Sequence, residues 1–287
     1  MTDYLSWFVN REKQYQGFLK MLAGETTKTV MMIESQADMG KTWVVQRMRV
    51  YCDEHAIPVM HVDFRDRRPY DYLALVRLAR DQMGPEAFVK LTETINNFTG
   101  VNININAGAG GINVSNMQQS SLSAGGDIAG GSIIKDNQFT ITADTEMARR
   151  AAELQINDAF FGGLQELLAD RKGVFLFDSY EDVTTEADRW IRDYLLLQVR
   201  EKNLSNAIVV IAGQKTPDPE GALKPLVAKT GLDLFTQDHV REYIIDRRKI
   251  MGLDIETVFK TSGGFPGLLA KMADVAALET ESDDDWL

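Results

Sequence analysis

The sequence predicts an α/β fold: a three-layer core on a parallel sheet, with a small C-terminal helical lid and a β-rich Gly/Asn insertion. Three observations lead there. Short apolar runs bounded by polar residues alternate with amphipathic segments, as in βα units that build a parallel sheet. Residues 94–134 interrupt that alternation with one charge, Asp127, and eight of the 22 glycines. Beyond Thr236 only helical periodicity remains.

Residues 29–33 read as a buried parallel strand and 41–52 as the helix that follows. Residues 58–64 form a second strand, and 70–82 carry Leu73, Val76, Leu78 and Ala79 at helical spacing. Past the insertion, Asp144 is placed to cap a long helix presenting Met147, Ala151, Leu154, Phe161, Leu164 and Leu168 on one face. A strand at 174–177, a helix at 187–200 and a strand at 207–212 continue the pattern. Helices at 237–250, 254–261 and 266–278 make the lid. The divisions expected are a first core segment (1–93), the insertion (94–142), a second core segment (143–233), the lid (234–278) and an acidic tail (279–287).

Within the insertion Val101, Ile103 and Ile105 alternate with Asn102, Asn104 and Asn106, a period-two strand signal. Ile112, Val114, Ile128, Ile133, Phe139 and Ile141 suggest further short arms; the competing reading is a poorly packed loop. An uncharged strand with open edges pairs readily with other chains, so self-association through this segment is expected.

The charge balance narrows the function classes. With 31 basic and 42 acidic residues the net charge is −11, which argues against a protein that coats nucleic acid. Arg65, Arg67 and Arg68 form a local basic run that either contacts nucleic acid, acts on a neighbour's phosphate or is simply solvated. Six of the eleven excess negatives (Asp274, Glu279, Glu281, Asp283, Asp284 and Asp285) follow Lys271. Trp286 and Leu287 end that tail as a partner anchor or a solubilising terminus. The single Cys52 excludes an internal disulfide framework, and His55, His61 and His239 are too scattered for a zinc centre. No apolar run reaches the ~20 residues that cross a bilayer, and the first residues lack a secretory pattern. A cytoplasmic protein without a membrane partner is expected. The twelve methionines read as core filler, with Met39 lining a pocket.

Chemistry concentrates in Ser35-Gln36-Ala37-Asp38-Met39-Gly40-Lys41-Thr42, between the first strand and its helix. This is the phosphate-binding pattern G-x-x-x-x-G-K-[ST] with Ser35 at the first glycine. Loop and helix-terminal N–H groups converge on an anion there, Lys41 reaches the β- and γ-phosphates, and Thr42 coordinates Mg²⁺. If the Ser35 position needs φ > 0, serine costs on the order of 1 kcal/mol. The second motif is Val174-Phe175-Leu176-Phe177-Asp178, a buried strand ending in an acid that would hold Mg²⁺ directly or through water. Ser179 follows where hydrolysing proteins often carry a second acid. Glu181 is the nearest group to polarise water, or else a surface turn acid.

Taken in order, these pieces resemble a STAND-type signalling NTPase, a bacterial branch of the AAA+ P-loop ATPases. Phe8-Val9-Asn10-Arg11-Glu12 is similar to the family's opening F-V-G-R-E, and the two motifs above match Walker A and Walker B. Ile208 to Gln214 resembles the sensor strand V-V-I-A-G-R with Gln214 for Arg, and Gly263-Gly264-Phe265-Pro266-Gly267 the lid motif G-x-P. The resemblance implies a P-loop NTPase core that binds ATP or ADP with Mg²⁺. It implies roles for Lys41, Asp178 and Glu181 in slow ATP hydrolysis, and for Thr42 and Asp178 as metal ligands. Arg11, Ser35, Met39, Gly40, Trp43, Gln214 and Pro266 would complete the nucleotide site, with a trans arginine among Arg241, Arg247 and Arg248. Gln214 and Ser179 depart from the pattern and favour holding nucleotide over rapid turnover. Sensor repeats and an effector are expected to lie outside this chain, so signalling or anti-phage output would pass to an effector or sensor protein in trans, with homo-oligomerisation as readout. The alternatives are a non-hydrolysing nucleotide-binding scaffold assembled through the insertion, and a DNA-linked AAA+ loader, against which the acidic balance counts.

Overall fold

A computed structural model describes residues 7–66, 70–99, 103–104, 113–114 and 146–284. It divides into two compact units, Met1–Met83 with Leu168–Leu287, and Gly84–Leu167.

The first unit opens with α1 (Glu12–Leu22), β1 (Val30–Glu34), α2 (Lys41–Glu54), β2 (Val59–Asp63) and α3 (Tyr72–Met83). In the second unit, α4 (Val89–Thr99) follows a 3₁₀ turn at Pro85–Phe88 and so runs past residue 94, where the insertion was expected to begin. Next come the short antiparallel pair β3 (Ile103–Asn104) and β4 (Asn113–Val114), then α5 (Glu146–Leu167). The first unit resumes with β5 (Gly173–Asp178) and α6 (Thr185–Trp190), which passes through a π turn into α7 (Leu196–Arg200). It continues with β6 (Ala207–Gly213) and β7 (Val227–Thr230). Last come α8 (Gln237–Arg241, extended by a π turn to Arg247), α9 (Ile255–Ser262) and α10 (Pro266–Asp284).

The sheet is wholly parallel, in the order β2-β5-β6-β1-β7. From β1 the chain crosses over β6 and β5 to reach β2, then returns through β5 and β6 to β7. α1 and α2 cover one face of the sheet and the opposite face is buried as well, which makes three layers. On the α2 side, Met31, Ile33, Val174, Leu176, Ile208 and Val210 pack against Phe18 and Met21 of α1 and Val44, Val45 and Met48 of α2. The alternate residues Val30, Met32, Phe175, Phe177, Val209 and Ile211 are buried on the opposite face. Burial on both faces explains why these strands read as continuous apolar runs.

The C-terminal helices enclose their own core of Val240, Tyr243, Ile244, Val258 and Leu269, which also takes in Val9 and Phe235. Thr236 caps α8 and Asp254 caps α9, and Gly263 ends α9 in the left-handed region. Among the arginines of these helices, Arg247 pairs with Glu242, while Arg248 pairs with Asp274 at 2.7 Å under the Trp7 ring.

The structure corrects the face read for α5. Phe161, Leu164 and Leu168 are buried as read, but Met147 is 81% exposed, Ala151 and Leu154 are exposed too, and Ala152, Ile156, Ala159 and Phe160 are buried. Phe160 stacks on Phe88, with centroids 5.6 Å apart, and the buried stripe runs from Ala152 to Leu164. The Asp144 cap, Arg67, Arg68, nearly all of the insertion, and Asp285, Trp286 and Leu287 lie outside the described residues.

Two adjacent glycines of α5 test the packing of the second unit. A Cβ on Gly163 would stand 2.7 Å from the Ala87 carbonyl oxygen, whereas one on Gly162 meets nothing within 4 Å. Gly163→Ala is expected to destabilise by about 1–3 kcal/mol and Gly162→Ala to stabilise by about 0.5–1 kcal/mol, read from urea unfolding by circular dichroism.

Candidate functional site

The strand–loop–helix at 34–41 forms one wall. After β1 the chain turns through two left-handed residues, Asp38 (φ 60°) and Gly40 (φ 86°), and α2 starts at Lys41. Ser35 is not left-handed, so the strain foreseen for serine there does not arise. Its hydroxyl instead bonds to the Glu34 carbonyl (2.7 Å) and accepts the Leu232 amide (2.6 Å), tying the loop to the chain beyond β7. Lys41, 8% exposed, folds back so that Nζ donates to the carbonyls of Ser35 (2.8 Å) and Gln36 (2.6 Å). Burial pushes its pKa below the ordinary lysine value, opposed by the Glu181 and Asp178 carboxylates.

Opposite stands the acid end of β5. Asp178 is 1% exposed; Oδ1 accepts the Ser179 amide (2.8 Å), and Oδ2 has no hydrogen-bond partner among the described residues. Burial raises its pKa; the nearby Thr42 hydroxyl pulls it back and Asp63 raises it further. A buried carboxylate oxygen with nothing to bond is costly, and a divalent cation is the kind of group that satisfies it. The oxygen donors Asp178 and Thr42 fit Mg²⁺.

Glu181 meets Gln214 in a two-point clamp. Oε2 accepts the Gln214 amide (2.8 Å) and Oε1 its side-chain Nε2 (3.0 Å). Burial would raise the Glu181 pKa, but the two bonds from Gln214 leave it below the usual value. The clamp leaves Glu181 a charged acceptor with both oxygens engaged.

Arg11, Gly40, Trp43 and Pro266 come together in an aromatic pocket with Trp7, Phe8, Val9, Phe235, Tyr243 and Ala270. Asn10 takes the left-handed conformation (φ 53°) that asparagine tolerates. Arg11, 4% exposed, donates to the Met39 carbonyl (2.8 Å) and lies 5.0 Å from the Phe235 ring centroid. Burial lowers its pKa to about 10, with Asp233 opposing. The Gly267 amide donates to the Asp38 carbonyl (2.8 Å), so the start of α10 rests on the loop after β1. The Met39 side chain turns into the sheet core rather than the pocket, and its carbonyl provides the contact.

Two carboxylates at this end of the sheet, Glu34 and Asp63, were not read from the sequence. Glu34 accepts the Thr216 amide (3.0 Å) and hydroxyl (2.8 Å) and pairs with Lys229 (3.1 Å). Asp63 ends β2 and pairs with Arg65, which also donates to Thr42 Oγ1 (3.2 Å). The signal for Asp63 was available, since β2 ends in an acid just as β5 does.

No protein-family model matches the chain, and no curated protein matches it. Among solved structures it is similar to the crystal structure of Cdc6p from Pyrobaculum aerophilum, with TM-score 0.47 and 14% identity over 94% of this chain and 62% of that one. The chain thus spans less than two thirds of that protein's length.

The orphaned Asp178 oxygen sets a pH expectation. A carboxyl whose folded pKa lies above its unfolded value binds the proton more tightly when folded, so stability falls as pH rises through that interval. Asp178→Asn removes the charge and keeps an acceptor for the Ser179 amide. In metal-free thermal melts it should be more stable than wild type at pH 7 by about 0.5–2 kcal/mol, with the advantage vanishing near pH 4.

Proposed function

We propose that this chain is an AAA+-type P-loop switch that binds ATP·Mg²⁺ between its α/β core and its helical lid and hydrolyses it slowly. One observation carries the reading: Lys41, Thr42 and the unsatisfied Asp178 oxygen converge where β1 passes into α2, beside an aromatic pocket. Lys41 would exchange the loop carbonyls for phosphate oxygens, and the loop and first α2 amides would donate to the same anion. Thr42 and Asp178 would hold Mg²⁺, which when bound offsets phosphate charge. Trp7, Trp43, Phe235 and Tyr243 would shield the base, with Pro266 beside it.

The Glu181–Gln214 clamp favours holding over turnover, because a base must leave both Gln214 bonds before it can orient water. The contact of the α10 start with the P-loop gives nucleotide a lever on the lid: a ligand that prefers one lid arrangement shifts its population. The output in this reading is assembly with other copies and with an effector or sensor protein in trans, in cytoplasmic signalling or anti-phage defence. A non-hydrolysing scaffold is the second reading, and the same clamp supports it.

Phosphate release should run between roughly 10⁻⁴ and 10⁻² s⁻¹, the range of switch NTPases working without a partner, and Lys41→Ala should abolish it. Light scattering should show a mass increase on adding ATP·Mg²⁺. Unchanged mass with tight nucleotide binding and no release would support the scaffold instead.

A further inference from the structure

Two carboxylates, rather than one, stand beside the start of α2. β2 and β5 are neighbours, and their register sets Asp63 opposite Asp178. The Phe64 amide donates to the Asp178 carbonyl (3.1 Å), which fixes the two strand ends side by side. Arg65 engages Asp63 on three counts, and the Ser179 side chain bonds to it as well. The Asp63 Oδ1 accepts the Arg65 amide (3.1 Å) and Nε (3.2 Å), and its Oδ2 accepts an Arg65 terminal nitrogen at 2.8 Å. That same nitrogen reaches Thr42 Oγ1 at 3.2 Å. The guanidinium therefore bridges the Asp63 carboxylate and the hydroxyl assigned to the metal, and Asp178 and Glu181 add to its attraction. The Arg65 side chain is 54% exposed, so the ion pair is its main anchor. The buried Asp178 Oδ2, 1% exposed as a residue, stays unpartnered beside it.

We propose that Asp63 completes the divalent-cation site with Asp178 and Thr42, and that Arg65 is a placeholder cation which the metal displaces. The inference rests on the nucleotide–metal reading for Thr42 and Asp178, but its test needs no nucleotide. Mg²⁺ and Mn²⁺ take hard oxygen donors, and two carboxylates with a hydroxyl supply them. A guanidinium satisfies the same oxygens by hydrogen bonds and repels a second cation, and it stays charged at every working pH. An exposed arginine–aspartate pair is weak enough to exchange. Its presence lowers the metal affinity of the empty protein, so that metal arrives together with the anionic ligand rather than ahead of it.

The test is Mn²⁺ titration of the nucleotide-free full chain, followed by electron paramagnetic resonance. Arg65→Gln should tighten Mn²⁺ binding by about tenfold, and Arg65→Lys, which keeps a cation, should bring it back toward wild type. Asp63→Asn should weaken binding about 10–100-fold, and placed in the Arg65→Gln background it should erase the gain. Arg65→Gln with unchanged or weaker Mn²⁺ affinity overturns the placeholder. Asp63→Asn binding Mn²⁺ like wild type, with its melting temperature preserved, overturns the ligand assignment. ATP retention is measured separately in the presence of Mg²⁺: its absence from well-folded wild type, with these Mn²⁺ differences intact, would sink the nucleotide reading and leave the cation site standing.

Discussion

A carboxylate oxygen buried without a partner is the constraint on which the site depends. Asp178 is carried to that position by a strand buried on both faces, and the turn after it is fixed by the left-handed Ser179 and its amide bond to Oδ1. The sheet order puts β6 between β5 and β1, so the acid and the loop of Lys41 approach across one interposed strand. The lysine donates its hydrogen bonds to the carbonyls of its own loop. The arrangement stores an unmet electrostatic demand, as functional sites do at a cost to stability.

That demand is mechanically connected. The loop after β1 is held by three distant parts of the chain: Arg11 on the Met39 carbonyl, Leu232 on the Ser35 hydroxyl, and Gly267 on the Asp38 carbonyl. A Cβ on Gly267 would fall 2.7 Å from the Asp38 Cβ, so this approach needs glycine. The segment 7–11 serves both cores, with Phe8 packed against the sheet cluster and Val9 inside the helical one. A change in the loop is therefore felt at the N-terminal segment and at α10 together. Glu34 and Glu181 fasten the β6–β7 connection from two sides, through Thr216 and Gln214.

Much of this was legible in the sequence because it follows from burial. β1, β2, β5 and β6 read correctly as apolar runs, and the loop 35–40 and the acid Asp178 lie at the ends of β1 and β5. Arg11, Gly40, Trp43 and Pro266, which come from separate stretches of sequence, line one pocket. What was missed turns on contacts that no local pattern contains. β7 is four residues long, partly exposed and preceded by Pro225, so it lacks an apolar run. The buried face of α5 takes in Phe160 through its stacking on Phe88, far away in sequence, and leaves Met147 and Leu154 exposed. Asp63 ends its strand as Asp178 does, but only the register of β2 on β5 makes the two acids neighbours. The Ser35 substitution read as strain because the motif expects glycine, whereas the left-handed residues are Asp38 and Gly40.

The central claim is that a nucleoside triphosphate and a divalent cation occupy the space between Lys41 and Asp178. Equilibrium dialysis of the folded full chain against radiolabelled ATP, with and without Mg²⁺, tests it most directly. Retention of one nucleotide per chain, tightened by Mg²⁺, is the expected result. Well-folded protein that retains neither ATP nor GTP under either condition would contradict it.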